Sequence, residues 1–263
     1  MIKIKKTNNL KNKIKDIGMN KIQSTIASVS ILIGCFVYSL AHAEPVRGVN
    51  PADIDNRFDV IVKHIKLATT GHTDSVTLKY DYKLNNNWGL NFELPVYTKI
   101  SASNFERTGN GDLFMRTRWI MPTDIGSYGV SAEIVLPTAG KDELGTGRYQ
   151  FNVGGLIVYP VSPHLLTAGV IKQSTSVAGD HDRDKISNTE IRFIPVFILS
   201  DGWAISGELR QTWEHKSDQD WQRIEVSLNK QFDIHWAGVL STSRDFGDRK
   251  DHGAALIAMK YFF

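Results

Sequence analysis

The sequence predicts an all-β fold, a transmembrane antiparallel β-barrel of about 12 strands with periplasmic termini. Three observations carry the prediction: an export leader, apolar and polar residues that alternate along most of the chain, and a final apolar strand that ends on Phe263. A two-residue period is typical of strands whose two faces meet different surroundings. Segments of about ten such residues are long enough to cross a bilayer at a tilt.

The first 43 residues are a predicted secretory signal peptide. Seven lysines and one acid come first, an apolar run spans Ile26 to Leu40, and small residues lead up to Ala43. This order is typical of a leader cleaved after Ala43, and the run is short for a retained membrane anchor. Two alternatives stay open: translation starts at Met1 or at Met19, and Leu32 to Cys35 resembles the lipidation motif of a lipoprotein.

Removing the leader changes the charge and the chemistry that remain. The whole chain has 31 basic and 28 acidic residues, for a net charge of +3. Without the seven leader lysines and Asp16, 24 basic and 27 acidic residues remain, and the net charge is about −3. The basic balance therefore belongs to the leader and gives no support for nucleic-acid binding. Cys35 is the single cysteine, so the cleaved chain has no disulfide, thiolate nucleophile or cysteine metal ligand.

Residues 44–56 lack the alternation and are a predicted short periplasmic lead, which precedes the predicted barrel at residues 57–263. Twelve alternating segments are predicted, near residues 58–70, 73–84, 88–99, 111–122, 128–138, 148–159, 164–174, 188–199, 203–214, 220–231, 234–244 and 252–263. A secreted β-sandwich would alternate too, but its strands are usually about five or six residues long. The longer segments and the apolar end of the chain favour the barrel.

The connections between segments support the barrel independently. Tight turns follow the even-numbered segments, whereas longer polar loops follow the third, fifth, seventh, ninth and eleventh segments. Outer-membrane barrels have short periplasmic turns, longer outer loops and an even number of strands. Aromatic residues near the segment ends, Trp221 among them, are predicted to lie at the membrane interfaces.

The last segment is the predicted closing strand, paired with the eleventh segment and with the first. Alternation assigns one set of its side chains to lipid, namely Ala255, Ile257, Met259, Tyr261 and Phe263, and the other set to the lumen, namely Leu256, Ala258, Lys260 and Phe262. Because a closed barrel has no free edge, pairing on both sides holds the terminus in place. Tyr261 and Phe263 are also the predicted signal for the outer-membrane assembly machinery.

Charged residues on the polar faces are the candidate functional residues. Ten are predicted to line the lumen: Glu93, Arg116, Arg118, Glu133, Glu190, Arg192, Glu208, Arg210, Arg223 and Glu225. Opposite signs on neighbouring segments favour a channel that selects small polar or anionic solutes. The alternative is a lumen filled by neutralising ion pairs, in a structural or surface-interaction barrel, since 12 strands give an intermediate width.

No catalytic, cofactor or metal site is predicted. His235 lies within cross-strand reach of three serines, but no spacing selects a nucleophile and base, so a lipid-modifying barrel enzyme is the weakest hypothesis. Residues 180–190 begin like a calcium-binding loop, but Lys185 stands where that loop requires glycine.

Three short motifs lie between residues 109 and 160. They are Gly111-Asp112-Leu113 with Arg118, then Leu136-Pro137-Thr138 with Gly140, and then Leu144-Gly145-Thr146-Gly147. Together they resemble the transporter-like outer-membrane family named for the meta-pathway of phenol degradation, with Ala139 inserted before the glycine of the second motif. The resemblance implies a barrel and the uptake of small hydrophobic or aromatic compounds, and it transfers no catalytic residue.

The sequence therefore predicts an exported protein of the cell outer membrane that acts as a channel or transporter-like barrel, without a cofactor. Its predicted partners are outer-membrane lipid and lipopolysaccharide, the outer-membrane assembly machinery and a small-molecule solute.

Overall fold

The computed structural model describes residues 46–67, 71–250 and 252–263. The predicted signal peptide, its cleavage site after Ala43, Cys35 and the choice between Met1 and Met19 lie outside these residues. In the part of the chain that is described, no helix is both long and apolar enough for a membrane span.

The described residues form thirteen β-strands and a short 3-10 helix at Asp142–Leu144. The strands are β1 (Arg57–Lys66), β2 (His72–Lys83), β3 (Trp88–Ala102), β4 (Phe105–Gly109), β5 (Leu113–Thr123), β6 (Gly126–Leu136), β7 (Arg148–Ser162), β8 (Leu165–Gly179), β9 (Ser187–Ile198), β10 (Trp203–Glu214), β11 (Gln219–Gln231), β12 (Trp236–Gly247) and β13 (Gly253–Phe262).

Twelve of these strands close into one antiparallel barrel. From β5 onward each strand pairs with the next along the chain, and β3 pairs with both β2 and β5. The ring closes where β13 pairs with β1, with Phe58 opposite Tyr261. The predicted all-β, 12-stranded antiparallel barrel and its closing strand are therefore confirmed. Each of these twelve described strands therefore has a neighbour on both sides, which is the condition for a sheet to cross a bilayer.

The remaining strand, β4, differs from the prediction. It pairs with β3 only, with Ala102 opposite Phe105, and so extends β3 beyond the barrel wall. Residues 100–110 are predicted to be a polar loop, because a strand of five residues is too short to show a two-residue period. β8 likewise continues to Gly179, past its predicted end near residue 174.

The two ends of the barrel differ in their connections. Short turns lie at the end that carries Arg57 and Phe262, which we name the turn end: residues 84–87, 124–125, 163–164, 199–202 and 232–235. The opposite end, the loop end, carries β4 and the longer connections 137–147 and 180–186. Outer-membrane barrels place the turn end in the periplasm and the loop end outside the cell. The predicted alternation of turns and loops is present, although residues 215–218 form a connection as short as a turn.

The outer surface of the barrel is apolar. Outward-facing aliphatic side chains from seven different strands are about half exposed: Val62, Val130, Val153, Ile171, Leu209, Leu240 and Ile257. β13 follows the predicted alternation, because Met259 and Phe263 are exposed whereas Ala258 and Phe262 are buried. A continuous apolar surface of this kind is typical of contact with lipid.

Trp221 does not lie at the membrane interface as predicted. Its side chain is only 7% exposed and lines the barrel interior, on the same face of β11 as Arg223. The prediction rests on the position of Trp221 near a strand end, but the parity of the strand decides whether a side chain points inward or outward.

Candidate functional site

Residues 46–56, the described part of the predicted lead, lie inside the turn end of the barrel. Ala52 packs against Val158 on β7, and Val46 packs against Val196 on β9. Both lead residues are less than a tenth exposed. A periplasmic segment is predicted at this position, but its entry into the lumen is not, since residues 44–56 have no periodicity from which a packing face can be read.

The inner wall at the turn end is apolar, unlike the polar inner faces from which the lumen residues are predicted. In β9, Ile194, Val196 and Ile198 line the contact with the lead, while Phe193 points outward and is 48% exposed. Such a strand is apolar on both faces, so it signals burial on both sides. Covering this wall with the lead removes apolar surface from water, which contributes about 25 cal/mol for each Å².

Two cations of the wall bind the main chain of the lead. Arg118 donates hydrogen bonds to the carbonyl oxygens of Pro51, at 3.1 Å, and of Asp53. Lys260 Nζ donates to the carbonyl oxygen of Gly48 at 2.9 Å. Arg118, one of the ten predicted lumen residues, therefore holds the lead in place.

Phe262 packs against the lead at the barrel seam, which is the place where β13 pairs with β1. Its side chain is fully buried, and the guanidinium groups of Arg47 and Arg57 lie 4.3 and 5.7 Å from the centre of its ring. Gly48 faces the same ring with a φ of +70°, and a Cβ atom at this position would lie 3.0 Å from the ring. Both the backbone conformation and the space therefore require glycine.

The raised pKa of the Asp53 carboxyl predicts that docking of the lead depends on pH. Burial, with Asp55 nearby, raises its pKa from 3.8 to about 6, although Arg118 and Arg57 act in the opposite direction. Because the docked lead favours the protonated carboxyl, docking is strongest below the unperturbed pKa of 3.8 and weakens as the pH rises through about 6. We expect hydrogen exchange in residues 46–56, corrected for its intrinsic pH dependence, to be slower at pH 5 than at pH 7.

The Asp53→Asn variant isolates this effect, since it removes the titrating group at nearly constant size. Hydrogen exchange in residues 46–56 of this variant is expected to be slow at both pH values. Asp124→Asn, in an exposed turn, should show the same pH dependence as the unaltered chain. Equal pH dependence in Asp53→Asn and the unaltered chain would show that another group is responsible.

Seven charged side chains cross the lumen between the lead and the loop end, and we name them the charge belt: Arg116, Glu133, Lys172, Glu190, Arg192, Glu208 and Arg210. Oppositely charged members contact each other, with Arg116 Nε 2.7 Å from Glu133 and Arg210 Nη1 3.2 Å from Glu190. Lys172 joins the two halves, because its Nζ lies 3.7 Å from both Glu133 and Glu190.

The charge belt contains six of the ten predicted lumen residues. The other three besides Arg118 form separate contacts: Glu93 with Lys79, Arg223 with Asp245, and Glu225 with Ser241. Asp245, which is 1% exposed, is not among the predicted lumen residues, because it follows the end of the eleventh predicted segment. Arg57 and Asp59, which form an ion pair at 2.8 Å, are not among them either. They have the inward parity of β1, but the apolar Ile61 on the same face hides the alternation.

Two cavities lie on either side of the charge belt. The inner cavity, of about 260 Å³, is bounded by the lead and by Arg116 and Arg192 of the belt. The outer cavity, of about 410 Å³, lies toward the loop end, with Glu190 and Arg210 of the belt in its lining. Lys172 lines both cavities. The charge belt is therefore the partition between the two spaces.

The motifs that carry the family resemblance form hydrogen bonds that hold the connections at the loop end in place. The Asp112 carboxylate accepts hydrogen bonds from the backbone N–H of Ala139, at 3.2 Å, and from the N–H and hydroxyl of Thr146, at 2.7 and 2.9 Å. A Cβ atom on Gly145 would lie 2.3 Å from the same carboxylate. Arg183 from the next loop donates to the Gly145 carbonyl oxygen at 2.6 Å. These contacts give the aspartate and the glycine of the motifs a structural role.

The residues considered for enzymatic or metal chemistry have other partners. His235 Nδ1 lies 2.9 Å from the carbonyl oxygen of Phe262, and its ring stacks on Tyr261. Within the described ranges, no hydrogen bond joins His235 to any of the three serines within cross-strand reach, Ser206, Ser227 and Ser241. Nor do the described residues contain a group of three or more His, Cys, Asp or Glu side chains placed to hold a metal ion.

The fold and the apolar outer surface define the class: an outer-membrane β-barrel. Solved structures share this fold. The chain is similar to the COG4313 outer membrane channel from Pseudomonas putida F1, with a TM-score of 0.71 and 14% identity over 84% of this chain and 100% of that chain. It is also similar to the NanC porin, with a TM-score of 0.60 and 9% identity over 78% of this chain and 100% of that chain.

A third similar structure is the KdgM porin in complex with disordered oligogalacturonate, with a TM-score of 0.56 and 12% identity over 79% of this chain and 99% of that chain. At these identities the likeness concerns the fold. No family model matches the chain, and no curated protein matches its sequence. The resemblance of residues 109–160 to the phenol-degradation family therefore stays a prediction.

Proposed function

We propose that this chain is an outer-membrane channel for small solutes, narrowed at its turn end by the N-terminal lead. The observation that carries the proposal is the pair of cavities on either side of the charge belt, with Lys172 in both linings. Oppositely charged side chains that line a passage and separate two open spaces are typical of a selectivity region. The porin and channel folds of the similar structures support the same function.

The lining favours polar or anionic solutes. Charged and amide side chains surround the outer cavity, and the charge belt beneath it is built of ion pairs. A hydrocarbon that crosses the charge belt gains no hydrogen bond and separates these charges from their partners, which is unfavourable. Aromatic solutes, which the family resemblance implies, remain a prediction. Lipopolysaccharide and the outer-membrane assembly machinery are proposed as partners on the outer surface and at the C-terminal strand.

The alternative is a structural or surface-interaction barrel. The observation that favours it is the lead, which packs against the inner wall through Val46 and Ala52. If the lead never leaves this position and no path runs beside it, the lumen is filled and only the loops act. Conductance separates the two functions, because a filled barrel is silent in a planar bilayer.

Reversing the charge of Arg210 is expected to change the ion selectivity. Arg210 contacts Glu190 and Glu208, so Arg210→Glu gathers three acidic side chains at the edge of the outer cavity. The permeability ratio should shift toward cations by roughly fivefold, since about 1 kcal/mol of barrier height corresponds to that factor. Reversal potentials in a salt gradient measure it. Arg210→Gln should give a smaller shift in the same direction.

Lys216→Glu is the matched control, because Lys216 lies in an exposed loop and undergoes the same change of charge. It is expected to leave the permeability ratio unchanged. Heat-modifiable gel mobility verifies that each variant is folded. If neither the unaltered barrel nor a barrel without the lead conducts in a planar bilayer, the channel function is wrong and the structural function remains.

A further inference from the structure

The outer cavity has the construction of a binding site. It is formed at the loop end by the inner faces of several strands, among them β7, β8, β10 and β11, and Arg249 joins its lining from the loop after β12. Its volume of about 410 Å³ lies within the range of small-molecule sites. The nearby loop contacts of Asp112 and Arg183 hold two of the connections at this end in place.

Two buried polar atoms in the lining of this cavity make no hydrogen bond among the described residues. They are Thr212 Oγ1 and Asn152 Oδ1, on side chains of residues that are 2% and 3% exposed. The amide nitrogen of Asn152 is already used, since it donates to Glu133 at 3.2 Å. Buried polar groups are normally paired, and an unpaired one typically costs about 1–3 kcal/mol. The amide oxygen requires a donor and the threonine hydroxyl can donate or accept, so both fit hydroxyl groups of a solute.

One cation in the lining of the cavity is available to an anion, because the other three are already paired. Its lining contains the four cations Lys172, Arg210, Arg223 and Arg249 but only two acids, Glu190 and Glu214. The first three cations contact carboxylates of the barrel wall. Arg249 forms no salt bridge among the described residues, and its guanidinium lies 3.9 Å from the centre of the Trp221 ring. The aromatic ring fixes the position of this cation while leaving its hydrogen-bond donors available.

We propose that the outer cavity binds a small hydroxylated carboxylate, such as a sugar acid. The carboxylate pairs with Arg249 at the mouth of the cavity, and the hydroxyl groups bond to Asn152 Oδ1 and Thr212 Oγ1 in its wall. Planar guanidinium groups recognise carboxylates by paired hydrogen bonds, which distinguishes the acid from the neutral sugar. This inference rests on the proposed function, because a solute bound at this place is one that the channel admits.

Calorimetric titration of the full barrel in detergent tests the inference without any transport step. The probes are D-gluconate, D-glucose, which lacks the carboxylate, and propionate, which lacks the hydroxyls. Gluconate is expected to bind at least about tenfold more tightly than either of the others. Arg249→Gln should weaken gluconate binding by about tenfold, and Thr212→Val, which replaces the hydroxyl by a methyl group, by about threefold to tenfold.

Lys250→Gln is the control, since it removes a positive charge from the same exposed loop. It should leave gluconate binding within about twofold of the unaltered barrel. Equal affinity for the three probes, no saturable binding, or equal losses in Arg249→Gln and Lys250→Gln would overturn the site and leave a water-filled vestibule. Binding without conductance would overturn the proposed channel but not this site, whereas conductance without binding would overturn this site alone.

Discussion

A barrel without residues 46–54 is expected to conduct far more than the full barrel. The lead occupies the turn end, where Ala52 and Val46 pack against the inner wall and Arg118 and Lys260 bind its carbonyl groups. Its removal opens the turn end of the lumen and leaves both cations free to face the passing ions. We expect single-channel conductance to rise on the order of tenfold and selectivity to shift toward anions.

A point variant tests the same idea with the chain length kept. Ala52→Asp places a carboxylate among the apolar side chains of Ile120, Val158 and Ala168, which is unfavourable, so the lead should detach. Ala178→Asp makes the same change at an exposed position near the loop end and should leave the conductance unchanged. Unchanged conductance in both the deletion and Ala52→Asp would mean that the lead does not limit the passage.

Changes at the two terminal phenylalanines are expected to have different effects, one on the stability of the barrel and one on its assembly. Phe262 points inward, fully buried beneath Arg47, so Phe262→Ala should assemble and then unfold more easily, by about 3–5 kcal/mol. Phe263 points outward and is 65% exposed, with its ring edge against Tyr80 and Tyr261. Because Tyr261 and Phe263 are the proposed assembly signal, deleting Phe263 should lower the amount of inserted barrel more than any loop deletion.

Two measurements separate these outcomes. Urea unfolding of the purified barrel reports stability, and heat-modifiable mobility in the membrane fraction reports assembly. Phe193→Ala, which truncates an outward-facing phenylalanine at mid-strand, is the control and should have a small effect on both. Normal insertion of a chain without Phe263 would show that this residue is not part of an assembly signal. Unchanged stability of Phe262→Ala would contradict the role of Phe262 in packing where β13 pairs with β1.

The barrel itself follows from the sequence because a two-residue period is a local signal. Ile257, Met259 and Lys260 take their faces from parity alone, and the turn and loop lengths then require an even number of strands. The order of strands needs no further information, since neighbours in an up-and-down barrel are neighbours in the chain. Six members of the charge belt are likewise predicted from parity and charge.

The residues that fill the lumen are positioned by contacts between parts of the chain that are distant in the sequence, so the sequence does not predict them. Val46 and Ala52 contact residues more than a hundred positions away, and no period marks them. Trp221 is assigned to the membrane interface because it lies near a strand end, although its parity places it beside Arg223. Arg118 has the same charge and inward parity as Arg116, yet one binds the lead and the other joins the charge belt. Only the path of the lead distinguishes them.

Arg118 and Lys260 bind the lead through its carbonyl groups, so they recognise a backbone path and not particular side chains. The fit is restricted by size at two positions, Gly48 and Ala52, while the side chains of Val46 and Arg47 add contacts with Val196 and Phe262. We therefore expect another segment that keeps these contacts to be able to take the place of the lead. Synthetic segments that keep a glycine and a small residue at these two positions would change the width of the pore without any substitution in the barrel strands.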